Sequence, residues 1–177
     1  MSSMLKECLL LKELNLSNFN TNNVTNMSHM FHLCTNLKKL NISSFNIINV
    51  FRIESMLSGC GKLKELNLSN FKNNKIIFMN YVFFWCSSLE ILNISNLNTN
   101  NVFDMRYMFY GCKSLRVLDL SDFGTNKVIN MNYMFYNCSS LKELNVNDFN
   151  AENLMEKFKI VEGCSNLNEI KKNKKEI

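Results

Sequence analysis

Seven cysteines and two histidines are the soft, nucleophilic or metal-binding side chains of this 177-residue chain. The cysteines are Cys8, Cys34, Cys60, Cys86, Cys112, Cys138 and Cys164, each 26 residues after the last. A disulfide framework needs partners, and an odd number of thiols in equivalent positions offers none. Neighbouring repeats would bring the Cα atoms near bridging distance, but the side chains would run parallel rather than converge. A metal cluster needs ligands meeting at one point, whereas this lattice spreads single thiols along a line. The spacing therefore predicts reduced, buried cysteines acting as small apolar residues. His29 and His32, in HMFHLC, look like a ligand pair, yet the lattice fills the same positions with Tyr107 and Tyr110, then Tyr133 and Tyr136. They belong to an outer face while Cys34 faces inward. No Ser/His/Asp grouping recurs at matching positions, so a nucleophilic site has nothing to stand on. The chain reads as a non-enzyme with no metal and no cofactor.

A fixed period between 20 and 50 residues means one structural unit stacked repeatedly, a solenoid. Three residues after each cysteine stands a leucine, and the unit reads L-x-x-L-x-L, as in LKELNLS, LKKLNIS and LRVLDLS. The last two apolar residues are spaced by two and point to one face of a short strand. Strands are predicted near 13–16, 39–42, 65–68, 91–94, 117–120 and 143–146, in one parallel sheet. Phe19, Phe45, Phe71, Leu97, Phe123 and Phe149 follow a polar turn. The period then changes: Val24, Met27, Phe31 and Cys34 are spaced 3, 4 and 3, as are Val102, Met105, Phe109 and Cys112. That spacing predicts short helices near 24–33, 76–85, 102–111 and 128–137, with less regular units around 50–59 and 154–163. Asn, Thr and Ser before the stripe are suited to N-capping, and Gly59, Gly111 and Gly163 to a left-handed helix end. The predicted fold class is α/β: strands on one face, helices on the other.

The strings LNLSNFNTNNVTNMSHMF, LNISNLNTNNVFDMRYMFYGCKSL and LDLSDFGTNKVINMNYMFYNCSSL resemble the BspA-type leucine-rich repeats. They are most similar to the Met-Phe-x-x-Cys version found in mycoplasma lipoproteins and other bacterial surface proteins. The resemblance covers nearly the whole chain; the aromatic residue where the general leucine-rich pattern has Asn or Cys is a departure from it. It implies a scaffold for surface display and protein-partner binding, and carries over no catalytic residue.

The remaining sequence features bound the context. The net charge of +5 is uneven, because KKNKKEI at the end holds much of it. The repeats therefore carry no cationic stripe, which argues against nucleic acid as a partner. Apolar runs are too short to cross a bilayer. Seven strand positions at the usual spacing give a slab of about 30 Å, enough for a single solenoid domain over 1–170 with a basic tail over 171–177. Met1, Met4 and Leu5 match Met27, Met30 and Phe31, so the chain opens inside a unit and reads as cut there, leaving an N-terminal edge open to end-to-end self-association. MSSMLKECLLLKEL lacks the pattern of a signal peptide. Surface location thus rests on the resemblance, and an intracellular structural or interaction protein is the alternative. At the other end Lys172 takes an apolar position, a charge that ends the core and discourages further strand pairing.

Two surfaces are candidates for partner contact. One is the strand face, with Asn15, Asn41, Asn67, Asn93, Asp119 and Asn145 in a row beside Ser17, Ser43, Ser69, Ser95 and Ser121, read as an amide ladder along the axis. The other is an aromatic stripe of Tyr81, Phe84, Trp85, Tyr107, Tyr110, Tyr133 and Tyr136, which would pack against neighbouring units or anchor a partner. Trp85 breaks the repeat by standing where Gly111 and Gly163 stand.

Overall fold

Each L-x-x-L-x-L segment forms a three-residue strand. A computed structural model describes residues 1–73, 75–146 and 159–171 of the protein. Its strands are β1 Glu13–Asn15, β2 Lys39–Asn41, β3 Glu65–Asn67, β4 Ile91–Asn93, β5 Val117–Asp119, β6 Glu143–Asn145 and β7 Glu169–Lys171. The central leucine points inward and its neighbours outward, the alternation that a pleated strand imposes. Equivalent residues pair in parallel register, Glu13 with Lys39, Leu14 with Leu40, Asn15 with Asn41. Lys171, placed in the basic tail by sequence, is the last residue of β7. The single sheet expected from the sequence is instead three: β1–β2, β3–β4 and β5–β6–β7.

The predicted helices are absent: 24–33, 76–85, 102–111, 128–137 and 50–59 form no α-helix, and neither does 159–163, while 154–158 lie outside the described residues. Where the backbone hydrogen bonds go explains why. In the segment Met105–Cys112, the N–H groups of Met105, Tyr107, Phe109 and Gly111 donate to Asn130, Asn132, Met134 and Tyr136 on the next coil, at 2.8–3.0 Å. The alternate N–H groups of Met108, Tyr110 and Cys112 donate three residues back, to Met105, Tyr107 and Phe109. That of Arg106 donates to the Asp104 carboxylate at 3.0 Å. All eight donors are satisfied, half of them by the neighbouring coil, in a run of overlapping tight turns.

Left-handed residues make this geometry. Ser3, His29, Ser55, Tyr81, Tyr107 and Tyr133 all have positive φ, and so do Glu7, Leu33, Gly59, Trp85, Gly111 and Asn137 four residues on, and Gly163 at the equivalent position of the last coil. A non-glycine residue there costs about 1–2 kcal/mol. The runs that begin at Met27, Ile53, Met79 and Met105 each gain four inter-coil hydrogen bonds, worth about 1 kcal/mol apiece, whereas an isolated ten-residue helix is marginal. The stacked arrangement wins. The fold is thus an all-β parallel solenoid in which helices have been replaced by turns.

Apolar side chains at positions equivalent to Val102, Met105, Met108, Phe109, Cys112, Leu115, Leu118, Leu120 and Phe123 fill one continuous core. Phe83, Phe109 and Phe135 stack within it along the axis, with ring centroids 5.3 and 5.6 Å apart. Asparagine also has a local role that the sequence reading did not include. The side-chain oxygens of Asn15, Asn41, Asn67, Asn93 and Asp119 accept the backbone N–H two residues on, at Ser17, Ser43, Ser69, Ser95 and Ser121. They close Asx turns within their own coil, and Asp119 also shares a side-chain hydrogen bond with Asn145 on the next strand, one rung of the expected axial row.

The coils alternate in pairs. At the second left-handed position the residues run Leu33, Gly59, Trp85, Gly111, Asn137, Gly163, bulky then glycine. A Cβ on Gly111 would meet the Trp85 ring at 3.1 Å, and one on Gly59 would meet Leu33 at 2.7 Å. Each bulky side chain therefore lies over the glycine of the next coil. The same coil pairs are the ones joined as β1–β2, β3–β4 and β5–β6. The two-coil period is a second, longer repeat laid over the 26-residue one.

Candidate interaction surfaces

The cysteines form an inner row, as their spacing implied. All seven are free thiols, five buried and the terminal Cys8 and Cys164 half-buried. They do more than fill space. Cys60, Cys86, Cys112 and Cys138 donate S–H to the carbonyls of Phe31, Leu57, Phe83 and Phe109 in the preceding coil, at 3.1–3.3 Å. Burial pushes their pKa values up, that of Cys86 to about 12. At the last coil, a hydrogen bond between Cys138 and Cys164 raises the first thiol and lowers the second. The row is structural chemistry.

The aromatic stripe is real and is mostly self-satisfied. Tyr81, Tyr107 and Tyr133 stack in one column at 4.8 and 5.0 Å, almost parallel. Phe84, Tyr110 and Tyr136 form a second column at 5.1 and 4.9 Å. Rings cross between columns edge to face, as at Tyr81–Phe84 and Tyr133–Tyr136. Stacking covers the ring faces within the columns, so the half-buried wall presents edges and hydroxyls. Burial and neighbouring phenols raise the pKa of Tyr81 and Tyr110. Trp85 stands at the flank of this wall, 39% exposed, over Gly111 and under the Lys113 ammonium at 4.9 Å.

His29 and His32 occupy the same two lattice columns two turns of the array earlier, 5.5 Å apart and edge to face. Burial, and then His29 and Lys6, lower the pKa of His32. Among the described residues no three His, Cys, Asp or Glu side chains come together as a metal site. On the strand face, grooves of about 410 and 350 Å³ cross β1–β4, lined by Glu13, Lys39, Glu65 and Asn67 among others.

Sequence reasoning missed two exposed apolar features. Ile91 and Val117 point outward from β4 and β5, 64% and 52% exposed, where other coils carry Glu or Lys. Phe51, Ile77, Phe103 and Ile129 form an outer row just before the turn run, each N–H bonded to the carbonyl one coil back at 2.9–3.1 Å. Reading down that single column of the 26-residue lattice would have found the row, because only its first member, Thr25, is polar.

Comparison with known proteins follows this geometry. The family model described as "Mycoplasma protein of unknown function, DUF285" matches residues 1–76 and 58–174. The chain belongs to this family. Membership bears out the sequence resemblance to the mycoplasma form of the BspA-type leucine-rich repeat. Among solved structures, the chain is similar to a leucine-rich repeat protein from Bacteroides ovatus ATCC 8483, at 21% identity and TM-score 0.44, over 93% of this chain and 47% of that one. It is also similar to a leucine rich cell surface protein from Faecalibacterium prausnitzii A2-165, at 13% identity and TM-score 0.41, over 99% and 69% of the two chains. The DUF285 chain thus spans about half the length of the Bacteroides protein. No curated protein matches it. Among its described residues no helix is long and apolar enough to cross a membrane.

Proposed function

We propose that this DUF285 chain is a non-enzymatic protein-binding module, part of a surface protein acting in adhesion, and that its contact site is the aromatic wall with Trp85 at the flank. The observation that carries the reading is Trp85 itself. It is a large, half-exposed ring held at φ +55, in a position its neighbouring coils give to glycine. Lys113 over the ring and the row of phenol hydroxyls beside it supply polar contacts around an apolar anchor, the usual anatomy of an interface centre.

Trp85→Gly tests it. Glycine suits the left-handed backbone and is the residue of Gly59 and Gly111, so the variant is expected to fold, relief of the positive φ offsetting part of the packing lost over Gly111. A partner isolated by cross-linking to the folded protein should bind the variant roughly thirtyfold more weakly, the effect of losing about 2 kcal/mol. Equal binding by a folded variant would move the contact to the strand face around Ile91 and Val117.

A further inference from the structure

We propose that the outer row Phe51–Ile77–Phe103–Ile129, with the lysines beside it, is a site for peripheral binding to an anionic lipid bilayer. The row is continuous over four coils, and at the usual strand spacing it runs for about 15 Å. Phe51, Phe103 and Ile129 are 39%, 41% and 76% exposed, and Ile48, nearby in the second coil, is 46% exposed. Four large apolar side chains in a line on the surface of a stacked array serve no packing need of the array itself: each coil is already closed by its inner row. They are a feature that calls for a non-aqueous neighbour.

The charges around the row choose the neighbour. Lys75 and Lys127, two positions before Ile77 and Ile129, hold their ammonium groups on the neutral side-chain oxygens of Asn49 and Asn101, at 2.9 and 2.6 Å, so their charge stays uncompensated. Lys72 lies with Ile48 on the adjoining groove. The acidic groups on the other flank are internally paired: Glu54 with Arg52, and Asp104 with Arg106 at 3.0 Å. What remains is an apolar line with net positive charge. Apolar side chains at the acyl boundary and lysines at the headgroups are the two contributions that bind a peripheral surface to an anionic membrane.

The test is flotation with vesicles of phosphatidylcholine, with and without about a third phosphatidylserine. The protein is expected to float with the anionic vesicles and to be released by salt. A Phe51→Asn/Phe103→Asn/Ile129→Asn variant should lose at least about tenfold in affinity. Lys75→Gln/Lys127→Gln should weaken binding several-fold and reduce its salt dependence. An Ile129→Trp reporter in a Trp85→Phe background keeps the proposal falsifiable if the triple variant fails to fold: its emission should shift to the blue on adding anionic vesicles. No flotation, equal flotation by the folded triple variant, or an unshifted reporter overturns the proposal. So does self-association in sedimentation that the triple variant abolishes without any vesicle binding, which would make the row an interface between copies.

Discussion

Between pH 8 and pH 10 the protein is expected to lose about 4 kcal/mol of stability, a large share of the ~5–15 kcal/mol typical of a folded domain. The cause is the thiol row. Cys60, Cys86 and Cys112 have folded-state pKa values raised above the ordinary 9.0 by burial, with Cys86 near 12. Raised pKa values fix the sign. The stabilisation is fully present below pH 9 and is lost as pH rises, because the unfolded chain ionises its thiols and the folded chain cannot. Above pH 9 each such thiol costs roughly 1.4 kcal/mol per pH unit. Tyr81 and Tyr110, also raised, add in the same direction. Urea midpoints measured from pH 7 to pH 10 should fall steeply, and less steeply in Cys112→Ala relative to that variant's own value at pH 7. A flat profile would mean that the thiols are not held in the core.

Phe109→Ala should be the most damaging single truncation, at about 3–5 kcal/mol. Phe109 is fully buried and stacks on both Phe83 and Phe135, so its loss opens a cavity shared by three coils. A solenoid is held by nearest-neighbour interfaces, and a break in the middle uncouples the two ends. Urea unfolding is therefore expected to shift to a lower midpoint and to broaden. Tyr110→Ala, at the half-buried outer wall next door, should cost no more than about 1–2 kcal/mol. Equal effects at the two positions would contradict the inward and outward assignment of the turn run.

Strand positions, the inner row of cysteines and the family were legible because each is a side-chain pattern that the 26-residue lattice repeats. Leu14, Leu66 and Leu118 face inward as read. The helices were misread for a physical reason. Overlapping tight turns bring Met105, Phe109 and Cys112 inward at the spacing of helical turns, so periodicity alone does not separate the two. Glycine is the usual sequence sign of a left-handed residue, but here Tyr81, Tyr107 and Tyr133 occupy one such position and Leu33, Trp85 and Asn137 another. Only Gly59, Gly111 and Gly163 betrayed it, and they were read as helix ends. Asn26 and Asp104, suited to capping a helix, instead accept the N–H two residues on and open the turn run. The break of the sheet between β2 and β3 has no counterpart in the strand residues themselves, which are nearly identical from coil to coil.

The central claim is that, among the described residues, the second half of a coil is turns bonded to the next coil rather than a helix. Scalar couplings across hydrogen bonds, measured by NMR on the labelled protein, test it most directly. The N–H groups of Met105, Tyr107, Phe109 and Gly111 should couple to the carbonyl carbons of Asn130, Asn132, Met134 and Tyr136. Couplings from Arg106, Met108 and Tyr110 to carbonyls four residues back in their own coil would instead establish the helix and contradict the account.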